Sequence, residues 1–252
     1  MAIGIIGGSG FYSFGEGERI RQNTPFGVSG ELVSMDHQSG EKIYFLARHG
    51  KGHTVPPHRI NYRANIHALY TLGVKKIIAT NAVGTTQENI DPGTFAVPDQ
   101  IIDFTSNREH TFFLGDSDVT APREFKRVVH TDVSEPFSQE LRNHIIETMK
   151  ALDLNFVDHG TIAVSNGPRF ETAAEVKMLK LLGADFLGMT SAPEAFLAKE
   201  LGLEYATIGV VTNFGAGMQQ HVTHDEVIEI FKQRMQTLQN IVLALIDRIL
   251  SH

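Results

Sequence analysis

The sequence predicts an α/β fold, and three observations support this prediction. Short apolar runs typical of buried strands recur along the chain, and helical patterns lie between several of them. The chain has 252 residues, 42% of them hydrophobic, which is enough to bury a substantial core. Because α/β folds of this size often form one domain, we expect residues 1–252 to be a single domain.

The individual elements follow from these patterns. Strands that are buried on both faces are predicted at 2–6, 42–46, 76–80, 161–164 and 205–211. Helices are predicted at 61–72, 138–152, 172–182 and 193–201.

A long helix is predicted at the end of the sequence, with Thr223 suited to cap its start. Its apolar residues recur at spacings of three and four, which we interpret as packing: Val227, Ile230, Phe231, Met235, Leu238, Ile241, Val242, Leu245 and Ile249. By contrast, residues 106–127 are polar and irregular, as expected of a long functional loop.

The composition excludes several classes of function. A net charge of -7 and a pI near 5.9 argue against a broad surface for nucleic acid, which needs clustered Lys and Arg. Without cysteine there is no disulfide, thiolate metal site or cysteine nucleophile. The start MAIGIIGGSG lacks the features of a signal peptide, and no apolar stretch approaches about 18 residues. We therefore expect a soluble, cytoplasmic protein that contacts neither nucleic acid nor membrane.

A glycine-rich loop follows the first predicted strand, in GIIGGSG at residues 4–10. Glycines permit close approach of the backbone, and free amides bind anions, so the loop is suited to phosphate. A dinucleotide fingerprint fits poorly, because the third glycine would fall on Ser13. A plain tight turn after the strand is the alternative.

The segment ARHG at residues 47–50 closes the second predicted strand, and His53 and His58 follow it. Three histidines this close together suggest a metal site, but there is no HExxH pattern and no carboxylate at helical spacing. Arg48 is better suited to an oxyanion, because the guanidinium fork matches phosphate. We therefore expect no metal.

Two further small-residue segments are predicted to form turns at strand ends, NAVG at 81–84 and GMTS at 188–191. Open α/β sheets bind ligands at the carboxyl ends of their strands, and the second segment precedes a helix whose N-terminal amides favour anions. Each segment taken alone could be structural. Together with the two earlier segments they predict one shared phosphate site.

Several motifs together resemble the trimeric purine nucleoside phosphorylases, in the methylthioadenosine phosphorylase branch. They occur in order over almost the whole chain: GIIGGSG, ARHG, NYRAN, TNAVG, GPRFETAAE, GMTSAPEAFLAKE and the strand that leads to Asn213. The resemblance implies a single-domain nucleoside phosphorylase fold, with a mixed central sheet flanked by helices, and a homotrimer. It also implies inorganic phosphate as co-substrate, with no metal and no organic cofactor.

The resemblance also implies roles for individual residues. Phosphate would be bound by Ser9, Arg48, His49, Asn81, Ala82 and Thr190. Phe170 would pack on the base, and Met189 would contact the ribose. His130 would reach the site of a neighbouring subunit, near the sugar 5′ position. Catalysis would depend on Asn213, Thr190 and His49.

Asn213 and Gly215 are expected to select the base. Phosphorolysis places negative charge on the leaving purine, and a hydrogen-bond donor at purine N7 stabilises it. The Asn213 amide can donate to N7 and O6 of hypoxanthine or guanine. Members that cleave methylthioadenosine carry Asp here and another Asp two residues on, where this sequence has Gly215. Asn213 therefore predicts a 6-oxopurine.

Glu171 in GPRFET supports the same prediction. Its carboxylate accepts the N1 proton of a 6-oxopurine, whereas adenine presents a bare acceptor at N1 and is repelled. Methylthioadenosine-specific members have a small hydroxyl residue there, and 6-oxopurine phosphorylases have Glu. The alternative is that Asn213 caps a turn and that Glu171 lies in the first turn of a helix.

The 5′ substituent is left open by the sequence. His224 lies where nucleoside-specific members have a histidine that bonds the 5′-hydroxyl, which favours inosine and guanosine. The segment TSNREHTFF instead resembles bacterial methylthioinosine phosphorylases, whose pocket takes a methylthio group. The loop 215–222 differs in length from that of the nucleoside enzymes, so the alignment of His224 is open, and a surface histidine is the alternative.

We therefore predict a phosphorylase that prefers 6-oxopurines, with methylthioinosine, inosine or guanosine as substrate. The nearest alternative is a methylthioadenosine phosphorylase that releases adenine. From other classes, a non-catalytic purine-binding protein and a dinucleotide oxidoreductase are the rivals.

Overall fold

Thirteen strands and five α-helices make up the protein in the computed structural model, which describes residues 1–116, 118, 122–219 and 223–251. The strands are β1 (Ala2–Gly7), β2 (Glu18–Ile20), β3 (Asn23–Thr24), β4 (Gly27–Val28), β5 (Leu32–Asp36), β6 (Lys42–Ala47), β7 (Val74–Thr85), β8 (Phe95–Ala96), β9 (Gln100–Asp103), β10 (Phe156–Val157), β11 (Thr161–Val164), β12 (Phe186–Gly188) and β13 (Glu204–Phe214). The helices are α1 (Tyr62–Thr71), α2 (Gln139–Ala151), α3 (Ala173–Leu181), α4 (Ser191–Glu200) and α5 (His224–Leu250). Two short 3-10 turns lie at Pro57–Arg59 and Arg123–Phe125.

A mixed sheet of eleven strands forms the centre of the fold, in the order β10-β8-β13-β7-β1-β6-β5-β2, while β12 joins β7 and leads to β11 and β9. The pairs of β1 with β6 and β7, and of β7 with β13, are parallel. Near the end of β7, β12 pairs with it in the antiparallel direction. The prediction of a mixed sheet is confirmed.

Helices cover both faces of the sheet. The reason is that successive side chains of a strand point to opposite faces, and in the central strands both sets are apolar. In β1, Ile3 and Ile5 belong to the core cluster that includes residues of α2 and α5, whereas Ile6 belongs to the cluster that includes residues of α1 and α4. A third, smaller cluster includes Val176 and Leu179 of α3. The sheet is therefore buried between helical layers, as the apolar strands predict.

The predicted strands and helices all occur, with ends that differ by a few residues. The capping prediction holds too, since Thr223 accepts a hydrogen bond from the Glu226 amide. Part of the predicted loop 106–127 and residues 220–222 lie outside the described residues. No helix among the described residues is long and apolar enough to cross a membrane.

The prediction of a turn at 81–84 is wrong. These residues continue β7, which runs on to Thr85 alongside β13. The cause is that β13 keeps pairing with β7 beyond the point where β1 and β6 end, so its backbone groups remain bonded in a ladder. The strands β7 and β13 therefore extend past β1 and β6, and we call these extended parts the ledge.

Candidate active site

A cavity of about 350 Å³ lies over this ledge. Its lining comes from the ends of β1 and β6, the extended parts of β7 and β13, the segments that precede α3 and α4, and the start of α5. We call one part the Arg48 end, formed by Ser9, Arg48, His49, Asn81, Ala82 and Thr190, and the other the Asn213 end, formed by Phe170, Glu171, Asn213 and Gly215. Both groups were predicted from the sequence, and the fold brings them into one cavity.

The glycine loop after β1 packs directly against β7. The Gly8 amide donates to Thr80 Oγ1 over 3.0 Å, and the Phe11 amide closes a turn on the Gly8 carbonyl. A Cβ atom at Gly8 would lie 2.3 Å from the Thr80 carbonyl oxygen, so only glycine fits there. The loop is thus a tight turn that also places Ser9 at the cavity wall, so the two predictions made for it are compatible.

Arg48 is buried at the end of β6 and is held by three hydrogen bonds. Its Nε and Nη2 donate to the two carboxylate oxygens of Glu194 at 2.5 and 2.8 Å, and Nη1 donates to the Thr80 carbonyl at 2.9 Å. Tyr205 OH also donates to Glu194 at 2.7 Å. Burial opposes the charge of Arg48, but the carboxylate of Glu194 outweighs it and raises the Arg48 pKa. The guanidinium is therefore permanently charged and fixed in orientation.

His49 is neutral in this site. Burial, with the neighbouring charge of Arg48 as the second cause, lowers the pKa of His49 to about 3. Its Nδ1 lies 2.9 Å from the Val55 carbonyl oxygen, which can only accept, so Nδ1 carries the hydrogen. The ring stacks on His53 at 4.3 Å between centroids. A ligand in the cavity therefore meets His49 through Nε2.

Asn81 and Thr190 form a polar pair beside Arg48. Asn81 Nδ2 donates to Thr190 Oγ1 over 2.7 Å, and Thr207 donates to the Asn81 carbonyl oxygen. Thr190 is the residue that precedes α4, and its side chain makes no capping bond with that helix. Its hydroxyl is left to donate toward the cavity, where the N-terminus of α4 favours an anion.

Asn213 lies in an irregular part of β13, where the register against β7 shifts between Val211 and Asn213. Such bulges redirect side chains near functional sites. Thr212 Oγ1 donates to Asn213 Oδ1 over 2.9 Å, and Nδ2 donates to the Phe214 carbonyl over 2.9 Å. Because the amide carries two hydrogens, one of them is left for a ligand. A Cβ atom at Gly84 would lie 3.1 Å from Nδ2, so this glycine of β7 makes room for the amide.

Glu171 faces the same end of the cavity from the segment before α3. That helix begins at Ala173 after the cap Thr172, so Glu171 precedes its first turn. Ser165 Oγ donates to Glu171 Oε1 over 2.6 Å and holds the carboxylate as an acceptor. Phe170 and Met189 complete the wall beside it.

Gly215 is closely packed. Its amide donates to the Thr85 carbonyl over 2.8 Å, and a Cβ atom there would lie 2.7 Å from Val176 Cγ1 and 3.2 Å from Leu187 Cδ1. A side chain at this position therefore requires a neighbour to move. The packing around residue 215 is therefore consistent with glycine at this position and not with Asp.

A pair of histidines lies next to the Arg48 end, where His53 stacks on His49. His53 and His224 line the cavity with ring centroids 5.6 Å apart, and Tyr12 OH lies 3.0 Å from His53 Nδ1. His53 also has a left-handed backbone (φ 59°), which is uncommon outside glycine. Burial, followed by the charge of His224, lowers the pKa of His53.

His130 is the one predicted site residue that the fold does not bring to the cavity of its own chain, and its side chain is exposed. In the part of the chain that the structure describes, no three His, Asp or Glu side chains are grouped to hold a metal ion.

Sequence reasoning missed four residues that the structure places in or behind the site. Glu194 is buried in an apolar stretch of α4, and a lone carboxylate in the sequence APEAFLA was the available signal. For His53 the sequence suggests only a role as a metal ligand. Ser165 and Arg108 gave no signal, because their contacts are formed by the tertiary fold. Arg108 donates to the carbonyls of Met189 and Asn166 at 2.5 and 2.6 Å and so joins two cavity walls.

The chain is similar to known proteins over nearly its full length. The model of the phosphorylase superfamily matches residues 2–247. The 6-oxopurine nucleoside phosphorylase of Pyrococcus furiosus is 46% identical over 249 residues, which cover 98% of this chain and 92% of the relative. A probable S-methyl-5'-thioinosine phosphorylase of Thermodesulfovibrio yellowstonii is 41% identical over 94% of this chain and 87% of its own length.

A solved structure is similar over nearly the full length. Methylthioadenosine phosphorylase from Schistosoma mansoni, in complex with adenine, superposes with a TM-score of 0.92 at 36% identity, over 99% of this chain and 92% of that one. The resemblance drawn from the sequence motifs is confirmed.

Proposed function

Because the chain belongs to the phosphorylase superfamily, we propose that it cleaves 6-oxopurine nucleosides with phosphate. The products are the free purine base and ribose 1-phosphate, or 5-methylthioribose 1-phosphate when the substrate is S-methyl-5'-thioinosine. The observation that carries this proposal is that one cavity joins a fixed arginine at one end to Asn213 and Glu171 at the other. Residues 1–252 would act as one domain.

In the proposed reaction phosphate occupies the Arg48 end. Ser9, Arg48, His49, Asn81, Ala82 and Thr190 would bind it, as the sequence motifs predict. Arg48 has five N–H groups, of which three donate to Glu194 and Thr80, so two are left for phosphate oxygens. Because Glu194 fixes the guanidinium beforehand, little side-chain freedom is lost when phosphate binds. Phosphate then attacks C1′ as the glycosidic bond breaks.

The purine occupies the Asn213 end, where negative charge develops. The free hydrogen of Asn213 Nδ2 would donate to N7 or O6, and Thr212 keeps the amide in the orientation that presents the donor. Glu171, held by Ser165, would accept the N1 proton of a 6-oxopurine. Phe170 would pack on the base, Met189 would contact the ribose, and Gly215 would leave the base edge open. These contacts favour hypoxanthine and guanine over adenine.

The 5′ position of the sugar would lie near His224, which lines the cavity beside His53. A histidine there is suited to bond a 5′-hydroxyl, which supports inosine and guanosine beside methylthioinosine. His130 would reach this position in a neighbouring subunit, since its side chain is exposed and away from its own cavity. The protein would then act as a cytoplasmic homotrimer, with phosphate as co-substrate and without a metal or organic cofactor.

Phosphate-dependent release of base from four nucleosides tests the proposal: inosine, adenosine, methylthioinosine and methylthioadenosine. We expect both 6-oxo substrates to be cleaved faster than their 6-amino partners. Faster cleavage of methylthioadenosine would instead favour the alternative, a methylthioadenosine phosphorylase. Hypoxanthine binding without any phosphate-dependent turnover would indicate a purine-binding protein.

Glu171→Gln sharpens this test. The amide can donate to the bare N1 of adenine, so the preference for 6-oxo substrates should fall about 5- to 150-fold, as expected for a mispaired buried polar group. The phosphate KM should change little, because Glu171 lies at the opposite end of the cavity from Arg48. An unchanged preference would exclude Glu171 from base recognition.

A further inference from the structure

The Arg48 end of the cavity carries no net charge before a ligand binds, although it is built to receive an anion. The positive charge of Arg48 is paired with the carboxylate of Glu194 through two hydrogen bonds, with side chains only 1% and 3% exposed. His49, the other basic residue in contact with this end, is buried and neutral. A dianionic oxyanion would therefore add two negative charges to a neutral, largely buried site.

The tautomer of His49 adds a second unfavourable contact for an anion at this end of the cavity. Its hydrogen is on Nδ1 and is donated to the Val55 carbonyl, so Nε2 carries a lone pair. A lone pair that faces an oxyanion oxygen without hydrogen, as in sulfate, is repulsive, whereas a proton taken up by the imidazole turns the contact into a charge-assisted hydrogen bond. The structure already holds the ring in place for that bond, since His49 is stacked on His53 and anchored through Nδ1.

We propose that Glu194 keeps the Arg48 end electrically neutral, and that a dianionic oxyanion therefore binds together with one proton, which is taken up at Nε2 of His49. The complex then contains the Arg48–Glu194 pair, a cationic imidazole and the oxyanion. The step forms one N–H bond at His49 Nε2 and breaks the bond that held the proton in hydronium or a buffer acid, and no other covalent bond changes. The inference rests on the proposed function only in assigning the anion to this end of the cavity.

The groups around His49 are consistent with this assignment of the proton. Arg48 precedes it in the chain and stays charged, and Glu194 of α4 is already committed to Arg48 and Tyr205. His53 is the other candidate to take up the proton, because its ring is only half-buried and faces His224 of α5. However, Nδ1 of His53 is already in contact with Tyr12 OH. His53 also does not belong to the Arg48 end, where the anion binds.

The test is isothermal titration with sulfate, which stands in for dianionic phosphate and carries no proton of its own near neutral pH. Titrations at about pH 7.5 in two buffers of different ionisation enthalpy give the number of protons bound with the anion. We expect about one proton per sulfate for the unmodified protein. Sulfate binding without proton uptake, or no binding of either sulfate or phosphate, would overturn the proposal.

Three variants locate the proton. His49→Asn should bind sulfate with almost no proton uptake. His53→Phe keeps an aromatic ring to stack on His49 but cannot titrate, so it should keep the full uptake as the matched control. The reverse pattern would overturn the proposal by assigning the proton to His53. Glu194→Gln should lower the uptake by at least half, because Arg48 then offers an uncompensated charge, and a thermal melt checks that this variant is folded.

The proposed function is tested separately by phosphate-dependent release of base. If no base were released, the number of protons bound with sulfate would be unaffected. If no proton were bound with sulfate, phosphorolysis would be unaffected.

Discussion

The two ends of the cavity are built on different physical principles. At the Arg48 end a fully buried ion pair and the Thr80 carbonyl fix the guanidinium, and the loop beside it has no room for a side chain at Gly8. At the Asn213 end single hydroxyls orient an amide and a carboxylate, Thr212 for Asn213 and Ser165 for Glu171. The first end is costly to change, whereas at the second a single substitution alters one orienting hydrogen bond. This difference fits the proposed roles, in which the first end binds a constant co-substrate and the second selects the base.

The largest effect is expected when the Arg48 end is broken. Arg48→Met leaves Glu194 buried without its partner, which typically costs about 3–5 kcal/mol of stability. It would also remove the arginine that we propose as a donor to phosphate, so kcat/KM for phosphate should fall by about 10³. Urea unfolding and phosphate-dependent kinetics measure the two effects.

The double variant Arg48→Met with Glu194→Gln is the control for this prediction. It should recover part of the stability, since no unpaired charge is left, but none of the phosphate activity. Recovery of activity would show that Arg48 acts only by stabilising the folded protein.

Acid should weaken the Arg48 end through His49. The pKa of His49 is about 3 in the folded protein and 6.5 in an unperturbed histidine. Between these values the unfolded chain binds a proton that the folded protein does not, so stability falls as pH decreases from about 6.5 toward 3. Each pH unit is worth up to about 1.4 kcal/mol.

Urea unfolding of the ligand-free protein across this range checks the prediction. His49→Asn should have a shallower dependence on pH than the unmodified protein, and the difference between the two isolates His49 from other groups. Identical slopes would contradict the low pKa.

At the Asn213 end, the preference for 6-oxopurines should be reversible, but only with repacking. Asn213→Asp with Gly215→Asp should move preference toward 6-aminopurines, yet the new Cβ at 215 meets Val176 at 2.7 Å. Overpacking of this kind typically costs about 1–3 kcal/mol.

Adding Val176→Ala should relieve that cost and restore folding. The ratio of kcat/KM for methylthioinosine and methylthioadenosine should then shift by about 5- to 150-fold. An unchanged ratio in a folded triple variant would exclude Asn213 as the group that selects the base.

The smallest effect is expected at a single hydroxyl. Ser165→Ala removes one hydrogen bond to Glu171, worth about 0.5–1.5 kcal/mol, so the preference for inosine over adenosine should fall about 2- to 10-fold. Ser106→Ala is the matched control, because Ser106 bonds Asn166 and not Glu171. An equal change in both variants would mean that the Ser165 bond does not orient Glu171.

Much of the fold was predictable because its signals are local. The apolar runs of β1, β6, β7, β11 and β13 and the stripe of α5 are properties of short windows of sequence. The error at residues 81–84 has the opposite origin. Small residues and an amide favour a turn locally, but pairing with β13, more than a hundred residues away, keeps them in a strand. The short edge strands were not predicted, because they too depend on pairing with distant parts of the sequence.

The candidate site shows the same division. The sequence by itself determined which residue types line the cavity, because the motifs that carry Ser9, Arg48, Thr190 and Asn213 are contiguous and specific. Only the tertiary structure decided how those groups are charged and oriented. The pairing of Arg48 with Glu194 spans 146 residues, and the neutral state of His49 is a consequence of burial. A sequence fixes the chemical groups, but their charges and directions depend on neighbours that only the folded chain supplies.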